Sequence, residues 1–152
     1  MIEDIHLFLV HAVQLERDAA RQYEQLAQIM QTAGNTEVQT LFQRMGLYSR
    51  RHLKDAMDRG GFRELPTLAP EDFQWPDGVS PEAASWHGVD GMIDVATALD
   101  LALASETAGH AFYADVAARS SDAEVVRMAC EFAKEESEHV RDLKAWIQRT
   151  VA

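Results

Sequence analysis

Four segments of the chain carry apolar residues three or four positions apart, which is the spacing of one face of an α-helix. We predict helices over about residues 2–33, 35–59 and 90–119, and a fourth helix that begins near residue 121. Only a few residues separate the first helix from the second, and the third from the fourth. Short loops of this kind join antiparallel neighbours, so we expect the helices to form two hairpins.

The segment over residues 60–89 separates the two predicted hairpins and has a different composition. It contains all four prolines of the chain and shows no helical period, so we predict a long crossover without helix. Trp75 and Trp86 are expected to hold this crossover against the outside of the helices. The sequence therefore predicts an all-α fold, a four-helix bundle of two antiparallel hairpins joined by the crossover, as a single domain over residues 1–152.

The two halves of the sequence resemble each other. Residues 4–23 match residues 94–113 at a constant offset of 90, and a run of His, an apolar residue, a base and Asp recurs at an offset of 87. The aligned pairs include Glu16 with Glu106, Tyr23 with Tyr113, and His52 with His139. This repeat predicts a bundle whose two hairpins are related by an approximate twofold axis.

Three glutamates interrupt the apolar faces of the predicted helices, and two histidines lie on the same faces. These five residues are Glu16, His52, Glu106, Glu136 and His139. Burying an isolated carboxylate is strongly unfavourable unless it is paired, protonated or bound to a metal. Because carboxylate oxygens and imidazole nitrogens together suit iron, manganese or zinc, the pattern predicts a metal site inside the bundle.

A polar network without metal is the alternative explanation for these residues. Taken alone, His52 is typical of a hydrogen-bonded core histidine, and Glu16 could pair with an arginine at an end of the bundle. The matching positions in both halves favour a metal site over such a network. We expect Tyr23 and Tyr113 to lie in the core and to hydrogen-bond the carboxylates.

This layout resembles the ferritin-like superfamily of di-iron carboxylate proteins, in which two helices each provide one Glu and the other two each provide a Glu-x-x-His motif. Glu16 and Glu106 look like the single glutamates, and residues 136–139 look like one complete Glu-x-x-His motif. Residues 106–114 and 132–139 are similar to the third and fourth helices of the rubrerythrin group. The resemblance covers all four predicted helices.

The resemblance implies two bound irons and a non-haem oxidoreductase that reduces peroxide or dioxygen, with a role in oxidative stress. It also implies that Glu136 bridges the irons, that Glu16 and Glu106 are terminal ligands, and that these three glutamates form the catalytic centre. His52 and His139 are then expected to bind one iron each. A rubredoxin-like domain needs four cysteines and this chain has one, so the electron donor is expected to be a separate molecule. Related bundles commonly associate along their flanks, so a homodimer is expected.

The chain departs from the pattern of the family in two ways. The second Glu-x-x-His motif requires Glu three residues before His52, and this chain has Ser49 there. Water, hydroxide or Asp55 could replace the absent carboxylate, or one metal position could bind weakly. Rubrerythrins also often carry an additional glutamate on the third helix near the first, where this chain has Leu103 and Gly109.

These departures keep two other functions open. The chain could be an iron-handling or iron-storage protein without turnover. It could also be a structural bundle that holds one redox-inert metal such as zinc. The number of metal ions per chain, and their reaction with peroxide, distinguish the three hypotheses.

Charge and hydropathy argue against several other classes of protein. The chain has 25 acidic and 14 basic residues and a net charge of −11, which disfavours binding to nucleic acids and to anionic membranes. No apolar run approaches the length of about 20 residues that a membrane-spanning helix needs. The N-terminal residues lack the basic region that is typical of a signal peptide, so we expect a cytoplasmic protein.

Overall fold

The computed structural model describes residues 1–76, 78–84 and 93–151 of the chain. Over these residues the protein forms four long α-helices and one short α-helix. In chain order they are α1 (Ile5–Thr32), α2 (Thr36–Gly60), α3 (Pro81–Ala84), α4 (Val95–Arg119) and α5 (Ala123–Val151). The four long helices confirm the predicted segments, except that the third long helix begins at Val95, directly after its capping residue Asp94, and not near residue 90 as predicted.

The first long helix of each half begins in the same way. The Asp4 carboxylate accepts a hydrogen bond from the Leu7 N–H (2.9 Å), and the Asp94 carboxylate accepts one from the Thr97 N–H (2.8 Å). An aspartate in this position satisfies an amide that has no partner within the helix. The repeat therefore places the two matched glutamates of α1 and α4 equally far from the starts of their helices.

The long helices form two hairpins, because α1 packs against α2 along its length and α4 packs against α5 in the same way. The turn between α1 and α2 needs only residues 33–35, with Gly34 in the left-handed region at φ 77°. Glycine adopts this conformation without a steric penalty, so the chain can reverse within three residues. The fold is thus the predicted four-helix bundle of two antiparallel hairpins joined by a crossover.

Two apolar clusters fill the bundle. One includes Phe8, Phe112 and Phe132, and the other includes Leu26 and Phe42. On each long helix, the predicted metal-binding residues lie between the residues of the one cluster and those of the other. The bundle therefore encloses a polar layer near its middle, with apolar side chains on both sides.

The crossover contains more regular structure than predicted. A single 3₁₀ turn covers Pro70–Asp72, and α3 covers Pro81–Ala84, so the prediction of a segment without helix is wrong. A serine followed by proline and glutamate is typical of a helix start, because proline fits the first turn and needs no amide partner there. The short helix α3 packs against both α1 and α4.

Aromatic residues attach the crossover to the bundle, as predicted for Trp75. The rings of Trp75 and Phe73 lie against the buried His11 of α1, with centroids 4.9 and 5.2 Å away. The Gln74 N–H donates a hydrogen bond to His11 Nε2 (2.9 Å). Trp86, which was expected to act in the same way, lies outside the described residues.

Charged side chains connect the hairpins on the outside of the bundle. Arg59 of α2 contacts Glu131 of α5 at 2.7 Å, and the same guanidinium contacts Asp55 at 3.1 Å. Such exposed pairs contribute little to stability one by one, but they orient the two helices relative to each other.

In the part of the chain that the structure describes, no helix combines the length and the hydropathy needed to cross a membrane.

Candidate metal centre

The five residues predicted to bind metal come together in the polar layer of the bundle. Glu16 on α1, Glu106 on α4 and Glu136 on α5 have exposed fractions of 3%, 1% and 2%. The side chains of His52 on α2 and His139 on α5 are 23% and 14% exposed. Each long helix therefore contributes at least one of these residues, as the helical periodicity predicted.

These residues form two groups that share one carboxylate. Glu16, His52 and Glu136 form the first group, and Glu106, Glu136 and His139 form the second. In each group, one possible ligand atom from every residue lies within 4.8 Å of the others, so a single cation could contact all three. The described residues could therefore hold two metal ions, with Glu136 between them.

Each histidine faces the glutamate of its own hairpin. His139 Nδ1 lies 3.4 Å from Glu106 Oε2, and His52 Nδ1 lies 3.7 Å from Glu16 Oε1. The other nitrogen of His52, Nε2, lies 3.4 Å from the half-buried Glu135. A carboxylate behind the ring orients a ligating histidine and makes it more basic. Burial by itself lowers the pKa of His52, but Glu16 and Glu135 outweigh burial and raise it to about 9.

Two tyrosines link the hairpins across the centre. The Tyr23 hydroxyl donates to Glu106 Oε1 (2.6 Å), and the Tyr113 hydroxyl donates to Glu16 Oε1 (3.2 Å). Both rings are buried, so the prediction for these tyrosines is confirmed. Each tyrosine belongs to the half of the chain that does not contain its partner glutamate. Residue 23 of α1 lies beside residue 106 of α4, and residue 16 lies beside residue 113. The two helices α1 and α4 therefore run antiparallel.

Crowding of the buried carboxylates changes their protonation. Burial raises the pKa of Glu136 well above its usual range, and the charges of Glu106 and Glu16 raise it further. Burial also opposes ionisation of Glu106, but hydrogen bonds from Glu136, His139 and Tyr23 outweigh this effect and lower its pKa. Protons therefore relieve part of the repulsion at the position where the two groups meet.

Asp55 does not replace the carboxylate that is absent from α2. Its carboxylate pairs with Arg59 at 3.1 Å, and 46% of its side chain is exposed at the surface of the bundle. Ser49 is buried one turn before His52 and offers no carboxylate to the centre. The approximate twofold symmetry of the centre is therefore broken at position 49, whose counterpart in the second half is Glu136.

A carboxylate that helical periodicity did not predict lies next to the centre. Glu82 on α3 has no exposed surface, and burial together with the charges of Glu106 and Glu16 raises its pKa well above the usual range. Its Oε1 lies 2.7 Å from the point where a side chain at Gly109 would begin, and Glu136 Oε2 lies 3.8 Å from the same point. Two sequence signals point to it: a serine-proline-glutamate helix start within the crossover, and a glycine one turn after Glu106.

A surface pocket of about 260 Å³ opens beside His139. Its lining includes Tyr48, whose ring stacks on the His139 ring at a centroid distance of 5.9 Å. Arg44 and Arg149 contribute cationic groups to the same pocket. A small molecule in this pocket would therefore lie next to one of the two histidines of the centre.

Two observations show that these residues fit a metal centre. Glu136 Oε2 is buried and has no hydrogen-bond partner among the described residues, and a cation provides the partner that such an oxygen needs. The available donors are carboxylate oxygens and imidazole nitrogens, which together suit iron, manganese and zinc. The buried glutamates and histidines could therefore hold metal ions of this class.

Comparison with known proteins identifies a relative of known structure. No protein-family model matches the chain, and no curated protein matches it. The structure is similar to the crystal structure of an uncharacterized conserved protein, COG1633, from Magnetospirillum magnetotacticum MS-1, with a TM-score of 0.75 and 36% sequence identity. The similarity covers 93% of this chain and 92% of that one. At this identity and coverage, the chain belongs to the COG1633 family of conserved proteins.

Proposed function

We propose that the protein is a non-haem di-iron protein that reduces peroxide or dioxygen, as its resemblance to the rubrerythrin group implies. The observation that supports this most is the pair of buried ligand groups that share Glu136. A structural site for one metal ion needs only one such group. Two groups on either side of one carboxylate are what a pair of neighbouring ions requires.

The proposed ligand roles follow the two groups. Glu136 would bridge the irons, with Glu16 and His52 on one side and Glu106 and His139 on the other. A bound pair of ferrous ions would supply two electrons, one from each ion, which with two protons from solvent reduce peroxide to water or dioxygen to peroxide. Carboxylates suit this task because they balance the charge of the iron and can change how they bind as that charge changes.

Tyr23 and Tyr113 would keep the terminal glutamates in place. Burial raises the pKa of both hydroxyl groups well above the usual range, so they stay protonated and donate to Glu106 and Glu16. A hydrogen bond on one carboxylate oxygen limits the orientations of the whole group. The tyrosines therefore prepare the two glutamates to bind metal in a defined geometry.

The surroundings of the centre support redox chemistry on a small substrate. The apolar clusters on both sides exclude bulk water, which limits side reactions of reactive oxygen. The pocket beside His139 is large enough for peroxide or dioxygen. Because the chain contains the single cysteine Cys130, we propose that electrons come from a separate protein or a small reductant.

Metal analysis and reaction with peroxide test this proposal. We expect the freshly purified protein to contain about two irons per chain, and we expect peroxide to oxidise both irons of the anaerobic ferrous protein. The variant His139→Ala should lose most of its iron, because it removes a ligand of one group. Glu138→Ala is the matched control, since Glu138 is exposed on the same helix and should leave the iron content unchanged.

Other outcomes would support the other hypotheses. Two irons that peroxide does not oxidise would indicate an iron-handling protein. One bound zinc and no reaction would indicate a structural metal site. An unchanged iron content in His139→Ala would show that His139 is not a ligand, and the proposed centre would then be wrong.

A further inference from the structure

The crossover brings a fourth carboxylate into the interior of the bundle. Glu82 lies on α3, the one-turn helix that packs against both α1 and α4. None of its surface is exposed, whereas Glu64 and Glu71 of the same crossover face water. The burial of Glu82 is therefore specific to this glutamate and is not a general property of the segment.

The oxygens of Glu82 have no partner in the part of the chain that the structure describes. Both Oε1 and Oε2 are buried without a hydrogen bond. Leaving a buried carboxylate in this state is strongly unfavourable, and native proteins rarely do so without a bound ion or water. The Glu82 carboxylate therefore needs a hydrogen-bonding or ionic partner other than the side chains of the described residues.

The carboxylate of Glu82 points toward the candidate metal centre. A Cβ atom at Gly109 would lie 2.7 Å from Glu82 Oε1 and 3.8 Å from Glu136 Oε2, so both carboxylates approach the same small space. Gly109 follows Glu106 by one turn of α4, and its missing side chain leaves the room that Glu82 occupies. Glu82 therefore reaches the side of the centre where Glu136 has its own unpaired oxygen.

We propose that Glu82 is a metal ligand of this centre, and that metal binding holds the crossover against the bundle. Glu82 stands outside the two groups of possible ligands, and in this arrangement α3 adds a carboxylate on the Gly109 side of the centre. A bound cation would give the unpaired oxygens of Glu82 and Glu136 a common partner. The inference rests on the proposed function only in requiring that the centre binds metal, and it does not depend on the reduction of peroxide.

Metal binding by Glu82 would couple the centre to the stability of a surface segment. A helix of one turn has little stability of its own, so α3 depends on its contacts with the bundle. A ligand that binds only the docked form of α3 increases the population of that form by mass action. Residues 78–84 should therefore open less often when metal is bound.

Iron binding by the full chain tests the role of Glu82 directly. Ferrous iron is added anaerobically to the metal-free wild type and to Glu82→Gln, and bound iron is measured by elemental analysis and by competition with a coloured chelator. Glutamine has nearly the same size as glutamate but is a much weaker ligand. We expect Glu82→Gln to lose affinity by about tenfold or more, because even groups behind the ligands contribute about 10–100-fold. The control Glu71→Gln removes an exposed charge from the same crossover and should bind iron like the wild type.

Hydrogen exchange provides a readout that does not depend on iron content. In the wild type, ferrous iron should slow the exchange of amides in residues 78–84 by about tenfold or more. In Glu82→Gln, any iron that remains bound should not slow these amides. Thermal melting of the metal-free variant establishes that it is folded. If the Glu82→Gln variant is not folded, amide exchange in the wild type alone tests the proposal. Equal exchange rates in residues 78–84 with and without iron would overturn it.

The outcomes separate this inference from the proposed function. If Glu82→Gln binds iron as tightly as the wild type while His139→Ala loses it, the centre binds metal without Glu82 and only the present inference is wrong. If the wild type binds no iron, the inference and the proposed function are both wrong.

Discussion

Gly109 affects the centre through the space that it leaves on α4. Alanine is more favourable than glycine by about 1 kcal/mol within a helix, so a glycine here has a local cost. The carboxylate of Glu82 fills the space that a Cβ atom would need, with Oε1 2.7 Å from that position. The glycine and the glutamate of the crossover are therefore complementary, and a change in one should affect the other.

Gly109→Ala should weaken metal binding without weakening the fold. The new methyl group would displace the Glu82 carboxylate, and we expect iron affinity to fall by about tenfold or more. The metal-free protein should change in unfolding free energy by no more than about 1 kcal/mol, because alanine favours the helix. Iron titration and urea unfolding of the same samples measure the two effects.

Gly46→Ala is the matched control for this prediction. Gly46 lies within α2, and a Cβ atom there would lie 3.5 Å from the Tyr23 Cβ, which is an ordinary contact distance. We expect Gly46→Ala to bind iron like the wild type. Equal iron affinity in Gly109→Ala and Gly46→Ala would mean that the position of the Glu82 carboxylate has no effect on the metal.

Among the elements of the fold, residues 73–75 of the crossover are attached to α1 through one buried histidine, His11. Burial lowers the pKa of His11, so its ring is neutral. Nδ1–H then donates to the Leu7 carbonyl oxygen (2.9 Å), and Nε2 accepts from the Gln74 N–H (2.9 Å). A protonated ring has a hydrogen on both nitrogens and cannot accept at Nε2. The attachment therefore requires His11 to stay neutral.

Mild acid should weaken the metal-free protein through His11. The pKa of His11 is lowered in the folded state, so the unfolded state binds the proton more tightly. Stability from this group is therefore present above about pH 6.5 and is lost as the pH falls further, by at most about 1.4 kcal/mol per pH unit. Urea unfolding at pH 7.5 and pH 5.5 measures this loss.

Two variants isolate the contribution of His11 from that of other titrating groups. His11→Gln should be less stable than the wild type at pH 7.5 but should lose less stability between the two pH values. His6→Gln removes an exposed histidine and should keep the full pH dependence of the wild type. If His11→Gln and the wild type lose equal stability in acid, His11 is not the group responsible.

For the bundle as an assembly, two apolar ends stabilise a middle layer that is unfavourable by itself. Glu16, Glu82, Glu106 and Glu136 are all buried in or beside this layer. Without metal, their mutual repulsion is relieved in part by protons, as the raised pKa of Glu136 shows. Folding and cation binding should therefore be linked, because the unfolded chain does not bring these groups together.

Ferrous iron should raise the unfolding free energy of the wild type. At pH 7.5, with a free iron concentration about 100 times the dissociation constant at that pH, linkage gives about 2.7 kcal/mol. At the same iron concentration the gain should be smaller at pH 6, because iron must then displace more protons from Glu136 and His52 and binds less tightly. Anaerobic urea unfolding with and without iron measures the gain at each pH.

Glu136→Gln tests whether the stabilisation arises at the proposed centre. This variant removes the carboxylate that both groups share, so we expect iron to stabilise it far less than the wild type. Glu138→Gln changes an exposed residue two positions away and should keep the full effect. An equal gain in Glu136→Gln and the wild type would place the bound iron somewhere else.

Much of this centre could be predicted from residue order because an α-helix relates position in the chain to direction in space. With 3.6 residues per turn, the spacing of apolar residues shows which side chains share a face, and it identified Glu16, Glu106 and Glu136 as buried. The short loops between neighbouring helices predicted the two hairpins, and the repeat between the halves predicted their approximate twofold relation. Local spacing was enough for all of these features.

Glu82 and the attachment by His11 depended on how the chain packs in three dimensions. The crossover has no helical period that would show which of its residues face the core, and the serine-proline-glutamate start of α3 does not by itself show where that helix packs. Glu82 lies beside the centre because α3 packs against α1 and α4 next to Gly109, and His11 acquires a partner 63 residues away in the sequence. Contacts between segments far apart in the chain depend on the free energy of packing, which no local spacing encodes.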